Sequence, residues 1–301
     1  MQIHTEGLVI RESSVGESDR LVTLLTREEG VVRAFARKAK TLRSRQASST
    51  QLLCYSRLTL YKGRDKYMIN DAHPIEVFFD LRGDLERLSL AQYFCELAGF
   101  FAPEAAPAGD FLRLILNALH FLTRRTRPLP LLKAVVEMRL LALAGYMPNL
   151  VCCRECACYE ADRMLFFPWR GELCCASCWE NRRGEGLQPG EPVCPLGKGT
   201  LTGLRHTVYA DLDKLFAFRL PEAGLRELEQ VSEQYLLHTA GRGFQTLEFY
   251  RQMELAGMRG VPAERENEGY HGETENVSRK VLESPGTGQD PGASGGENRL
   301  S

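Results

Sequence analysis

The chain has no apolar run long enough to cross a bilayer: stretches such as "LLALAG" fall far short of the roughly 20 residues a spanning helix needs. Its opening, "MQIHTEGLVIRESSVGESDR", lacks a basic segment followed by a long apolar one, so no secretory leader is expected. Net charge is almost absent too, with 38 Lys and Arg against 39 Asp and Glu. The chain as a whole therefore announces no polyanionic partner, and any such partner must be met by local charge. These absences point to a cytoplasmic protein. In that reducing setting, ten cysteines read more readily as metal ligands than as disulfides. At 301 residues and 44% hydrophobic content, the chain can support more than one packed unit.

Two local absences say more. Between Gly30 and Arg64 there is no Asp or Glu at all, yet nine basic residues stand there: Arg33, Arg37, Lys38, Lys40, Arg43, Arg45, Arg57, Lys62 and Arg64. Lys66 follows just beyond. Between Asn149 and Glu180 there is no histidine, yet seven cysteines crowd into "NLVCCRECACYE" and "ELCCASCWE".

Hydropathy patterning divides the chain into three regimes. Residues 1–80 hold five short β-rich runs, "TEGLVIR", "DRLVTLLTR", "GVVRAFARK", "LCYSRLTLYKG" and "KYMINDAHPIE", with Glu28–Gly30 as a tight connection. Five strands in so short a span suit a small closed antiparallel barrel of the OB type, which leaves no exposed edges. Over 81–257 the apolar spacing changes to three and four residues, the mark of amphipathic helices. Asp110 is placed as an N-cap there, and "AGLRELEQVSEQYLLHTAGRGFQTLEFYRQMELAG" reads as helix, break, helix. Residues 258–301 are rich in Gly and acid and poor in aromatic and β-branched residues, the composition of a disordered tail.

Cys153-x2-Cys156 and Cys175-x2-Cys178 form two knuckles separated by eighteen residues, the spacing of a four-thiolate zinc site. The intervening "DRMLFFPWRGEL" fits a ribbon hairpin turning at Arg170 and Gly171. Cys152, Cys158 and Cys174 are then neighbours. A pairing of Cys152 with Cys156 and Cys174 with Cys178 stays open on spacing alone. A redox dithiol expects a single C-x-x-C beside a βαβ pattern, and catalytic zinc expects an open fourth position; neither matches. The metal expected is structural Zn²⁺. The fold expected is α+β and multidomain: an N-terminal OB-fold β-barrel, then an α-helical domain with an inserted four-cysteine zinc ribbon at about 150–185.

The basic run links two strands, so much of its charge belongs on a barrel rim. Phe35, Tyr55, Tyr61 and Tyr67 lie among these charges. Cationic groove plus aromatic platforms is what an OB barrel needs to bind single strands, although any one of these aromatics serves equally well as core. RNA and DNA are not separated by this chemistry. For catalysis there is little: Gly197-Lys198-Gly199-Thr200 departs from the Walker pattern, and His4-Thr5-Glu6 has no P-C-x-x-C partner. No enzymatic activity is expected.

"ESDRLVTLLTREEGVVRAFARKAKTLRSR", "LAGYMPNLVCCRECA", "CCASCW" and "YLLHTAGRGFQTLEFY", in that order, resemble the bacterial DNA repair protein RecO family from about Thr5 to about Met253. The resemblance aligns Leu150, Cys153 and Cys156 with the family's LxxCxxC pattern and so favours Cys153 over Cys152. It implies a recombination mediator that binds ssDNA and dsDNA and anneals complementary strands. Implied partners are RecR, the C-terminal tail of single-stranded-DNA-binding protein (SSB), and RecA indirectly, in a nucleoid-associated setting. Two departures stand out. The family often carries glycine where this chain has Lys38 and Ala157; the first change bears on the rim turn, since only glycine enters positive φ freely.

Overall fold

The computed structural model describes residues 1–260 except 42, 43, 45, 65 and 183–185. Arg43, Arg45 and nearly all of the expected tail therefore lie outside the described residues. β1 (Gln2–Val15), β2 (Asp19–Thr26), β3 (Gly30–Ala36), β4 (Cys54–Lys62) and β5 (Tyr67–Val77) close into a barrel in the order β1-β2-β3-β5-β4. All neighbours are antiparallel except β3 and β5, which run parallel, and β4 returns to β1 to seal the ring. This is the OB architecture. Alternation assigns the two faces. Val32, Ala34 and Ala36 of β3 point inward with Val22, Leu24, Leu58 and Leu60 to fill the barrel.

The helical body begins with α1 (Leu85–Phe101), α2 (Gly109–Arg124) and α3 (Leu129–Leu143). The Asp84 side chain accepts from the Arg87 N–H and caps α1. Asp110 does not cap α2: that place falls to Ala108, and Asp110 sits in the first turn, where its charge favours the helix dipole instead. α3 is buried on nearly all sides, as a helix apolar around its circumference must be. Even its Lys133 is 1% exposed, held 3.0 Å from Glu137 and 2.8 Å from Glu233.

After α3 comes a four-stranded sheet of β6 (Asn149–Cys153), β7 (Met164–Phe167), β8 (Glu172–Cys175) and β9 (Cys194–Leu196), ordered β6-β8-β7-β9, with the short α4 (Ala176–Asn181) following β8. β7 and β8 make the expected hairpin, and Gly171 turns it at φ +63°. β9 extends the sheet beyond the hairpin. α5 (Lys198–Tyr209), α6 (Glu222–Ala240) and α7 (Gln245–Gly260) complete the body. α6 stops at Gly241, whose φ of +64° is the usual left-handed end of a helix. α7 runs on to Gly260, into the stretch whose composition suggested the tail.

Barrel and helices share a core. Leu8, Ile10, Leu25, Val31 and Tyr55 lie on the outside of the barrel, and all are buried among side chains of α1 and α2. Gly30 locks the junction. It has φ +66°, and a Cβ there would fall 2.1 Å from the Pro103 carbonyl oxygen, which accepts the Val31 N–H at 2.9 Å.

Candidate nucleic-acid interface and metal centre

The barrel's outer face is built by register. Where it is not covered by helices, Leu21, Phe35, Met68 and Tyr61 fall in one cross-strand row: Leu21 opposite Phe35, Phe35 opposite Met68, Met68 opposite Tyr61. The first three are half-buried and Tyr61 is 48% exposed. The next row brings Arg11 opposite Thr23 and Thr23 opposite Arg33, with both arginines exposed. The Lys66 ammonium sits 5.3 Å from the centre of the Phe35 ring. An apolar row beside a cationic one can accept a base face and a phosphate together.

Arg11 was missed in the sequence because it precedes the acid-free stretch. A register shift in β1 between Val9 and Arg11 turns its side chain onto this face. Along the rim, Arg37, Lys38 and Lys40 are exposed. The rim loop is pinned to the β1–β2 turn, since Asp19 accepts the Lys38 N–H at 2.8 Å and the Ser18 carbonyl accepts that of Lys40 at 2.9 Å. The Lys38 N–H, and then Ser18, Arg37 and Lys38 itself, hold the Asp19 carboxyl below its ordinary pKa. Lys38 does take a left-handed backbone, φ +53°.

The acid-free stretch is not acid-free in space. Arg57 lies opposite Glu6 and 3.6 Å from its carboxylate, and Lys62 lies 3.5 Å from Glu29. Among the described residues Arg11, Arg33, Arg37 and Lys40 make no ion pair. Arg64 and Lys66 are exposed on the β4–β5 loop. Of the aromatics, Tyr55 is core, 1% exposed, with its hydroxyl donating to Glu6 at 2.7 Å. Tyr67 is half-buried, donates to Glu29 at 3.0 Å and lies under the Lys62 ammonium. Tyr61 is exposed on the outer row, and Phe35 lies beside it half-buried, with the Lys66 ammonium over its ring.

In the helical body the sulfurs of Cys153, Cys156, Cys175 and Cys178 lie within 4.8 Å of one another. Cys152 is not in that group. A Zn–S tetrahedron with bonds near 2.3 Å has S–S edges of about 3.8 Å. The Cys156–Cys175 separation is 3.8 Å, so a tetrahedral ion fits the cluster. Backbone donors favour the thiolate at two of the four sulfurs, those of Cys153 and Cys156. The Glu155 and Cys175 N–H groups donate to the Cys153 sulfur at 3.4 and 3.3 Å. Burial raises the Cys153 thiol, but donors from Cys156, Cys175 and Glu155 outweigh it and bring the thiol down to about 6. The backbone N–H of Cys158 lowers Cys156. Cys174 stands outside the group by geometry, its sulfur 4.0 Å from that of Cys153; burial, and then the charge of Cys153, push its thiol up to about 12, and Cys178 within the group is raised too, by the Cys175 and Cys156 thiols beside it. Ala157, in the first knuckle, has φ +58°, a strained turn that glycine would relieve. Arg154 braces the knuckle through Glu172 and Glu155, each at 2.9 Å.

Fold and site together define an OB-barrel protein with an integral helical body, a cationic and aromatic barrel face, and a four-cysteine centre remote from that face in sequence. Two family models match it: "Recombination protein O N terminal" over residues 1–78 and "Recombination protein O C terminal" over 82–248. Proteins named DNA repair protein RecO are similar along most of their length. That of Acetivibrio thermocellus is 33% identical over 253 residues, covering 84% of this chain and 97% of the relative. Those of Desulforudis audaxviator and Symbiobacterium thermophilum are each 32% identical, covering 85% and 84% of this chain and 98% of each relative. The chain belongs to the recombination protein O family.

Proposed function

We propose that this protein is a non-enzymatic recombination mediator in DNA repair. It holds ssDNA and dsDNA on the barrel face, anneals complementary strands coated by SSB, and with RecR promotes loading of RecA. The observation that carries the DNA-binding part is the pair of adjacent rows, Arg11 and Arg33 beside Leu21, Phe35, Met68 and Tyr61, in a member of this family. Cations that are not already neutralised release counterions when they meet phosphates, and that affinity does not depend on sequence. Two strands on one cationic surface also repel each other less, which favours annealing without any covalent step. The rim cations Arg37, Lys38 and Lys40, with Arg43 and Arg45 alongside in sequence, extend the track, and Arg64 and Lys66 flank it. The SSB tail, RecR and RecA are proposed from family membership.

The four-cysteine centre takes Zn²⁺ in a structural role on this reading, with Cys153, Cys156, Cys175 and Cys178 as ligands. Four thiolates leave no open position for a reactant. The site of action is cytoplasmic and nucleoid-associated; among the described residues no helix is long and apolar enough to cross a membrane.

The test is annealing of two complementary labelled strands, each precoated with SSB, across a salt series with no nucleotide present. Acceleration that fades with salt supports the proposal. DNA binding without acceleration refutes the mediator role, and preference for an RNA strand of the same sequence moves the site to RNA.

A further inference from the structure

A cavity of about 240 Å³ opens where α6 and α7 meet α3. Among the side chains that line it are Glu229 and Glu233 from α6, Tyr250, Arg251 and Glu254 from α7, and Lys133 from α3. Spacing of four residues sets Glu229 with Glu233 on one helix face, and Tyr250 with Glu254 on the other. The cations there are already committed. Lys133 is held by Glu137 and Glu233, Arg251 pairs with Glu233 and, at 2.7 Å, with Glu248, and Arg226 at the rim pairs with Glu222. Two of the acids are not. Glu254 has no ion pair among the described residues, and Glu229 has only Lys133, at 3.8 Å. Burial raises the Glu229 carboxyl against the pull of Lys133, and the field of Glu254 adds to the rise.

A second observation, independent of these charges, points to a ligand. Tyr250 is 1% exposed, yet its hydroxyl has no hydrogen-bond partner among the described residues. A buried hydroxyl left alone is destabilising, and nearly all such groups in folded proteins are satisfied. Phenylalanine would fill the same volume without that cost. The hydroxyl faces the acids of the cavity: burial raises its pKa first, and then the charges of Glu229 and Glu254.

We propose that this cavity binds a primary alkylammonium group, its N–H donors shared among the Glu229 and Glu254 carboxylates and the Tyr250 oxygen. An ammonium carries three donors and one charge, which matches two unpaired carboxylates and one unused phenol. A bare divalent ion does not match. Among the described residues the four cysteines are the only group of three or more metal-type donors gathered within 4.8 Å, so these carboxylates stand too far apart to share one ion. Two sources share the alkylammonium chemistry, a free di- or polyamine and a lysine side chain of a partner protein. Bound there, the group joins α7 to α6 at a point where neither helix supplies a counterion. It thereby holds down α7, whose first turn is bonded to α1 through the Thr246 N–H and Glu96 at 3.2 Å. The inference is independent of the reading of the barrel face.

The experiment titrates the full chain with 1,4-diaminobutane by isothermal calorimetry at low salt. Tyr250→Phe, Glu254→Gln and, as a charge control, Asp80→Asn at an exposed acid elsewhere are titrated alongside. Nα-acetyl-lysine N-methylamide serves in parallel as the peptide-borne ammonium. Tetramethylammonium, which has the charge but no N–H, and Mg²⁺ are added as competitors. Expected are saturable binding of at least one of the two amines by the parent and the control, and a loss of about tenfold or more in each cavity variant. Tighter binding of the diamine identifies a free amine as the source, and tighter binding of the lysine derivative a partner's side chain. Melts without ligand separate recognition from folding: Tyr250→Phe should be at least as stable as the parent, because the hydroxyl it removes has no partner. No saturable binding of either amine, equal affinity in all four proteins, or displacement by tetramethylammonium or Mg²⁺ at matched ionic strength would overturn the proposal. A Tyr250→Phe melt below that of the parent would overturn it as well, by giving the hydroxyl a structural role. None of these outcomes bears on DNA binding by the barrel.

Discussion

Removing Arg11 and Arg33 together tests the barrel face most directly, because each contributes a measurable electrostatic quantity. Both are exposed, both sit across Thr23, and neither has an internal counterion among the described residues. Each phosphate contact on a single strand contributes about 0.7 to the slope of log K against log salt. Arg11→Ala with Arg33→Ala therefore flattens the slope by about 1.4 and weakens binding about 25-fold at 0.1 M salt, relative to a 1 M reference where the electrostatic part is lost. Phe35→Ala removes stacking instead, worth about 1–3 kcal/mol, and should weaken binding with the slope unchanged. Arg57→Ala with Lys62→Ala supplies the contrast. These two are already paired with Glu6 and Glu29, so removing them should change the slope by less than half as much. The assay is anisotropy of a labelled thymidine 20-mer between 50 and 500 mM salt, with far-UV circular dichroism to confirm folding. A slope that responds to Arg57 and Lys62 but not to Arg11 and Arg33 would refute the assignment of the face.

Other expectations concern the rest of the molecule. Cys175→Ser should lower bound zinc below one per chain by atomic absorption, whereas Cys174→Ser should keep the metal; the reverse result would mean that the second knuckle is paired differently. Ala157→Gly should raise the unfolding free energy by about 1 kcal/mol in a denaturant titration, because it removes a left-handed non-glycine residue. Glu229 gives a pH test: burial, outweighing Lys133, raises its carboxyl to about 7. The folded state then holds a proton that the unfolded state releases, so this residue's contribution to stability falls as pH rises from 4.5 toward 7. Glu229→Gln should gain on the parent by up to about 3 kcal/mol over that window, seen as a smaller drop in Tm between pH 5 and 8, and an identical drop would exclude the effect.

Much of this architecture was legible because particular residues announced it. α1 runs over residues marked by an apolar period of three and four, although its cap, Asp84, was not read from the sequence and the cap that was, Asp110, lies inside the first turn of α2. The two C-x2-C knuckles likewise point to the four sulfurs that meet. Elsewhere the signal was too local. β9 is three residues long with a central proline, and it exists only because β7 offers it an edge. β1 extends well beyond "TEGLVIR" because both neighbours supply a ladder that its own polar end does not advertise. Charge misled most. Glu6 and Glu29 are distant in sequence from Arg57 and Lys62, and only the β1–β4 register and the barrel's closure bring them together.

The clamp at Gly30 has a mechanical consequence. Its backbone is wedged against Pro103, Val31 is hydrogen-bonded to the same carbonyl, and Ala108 returns a bond to Arg27 at 2.9 Å on the far side of the hairpin. With Leu25 and Val31 sunk among the helices, the β2–β3 hairpin is rooted at one end and presents Arg33 and Phe35 at the other. Load applied to a strand lying on those side chains is transmitted along two hydrogen-bonded ribbons into the helical body instead of swinging the barrel on a tether. The orientation of anything bound there is thus inherited by whatever the helices hold.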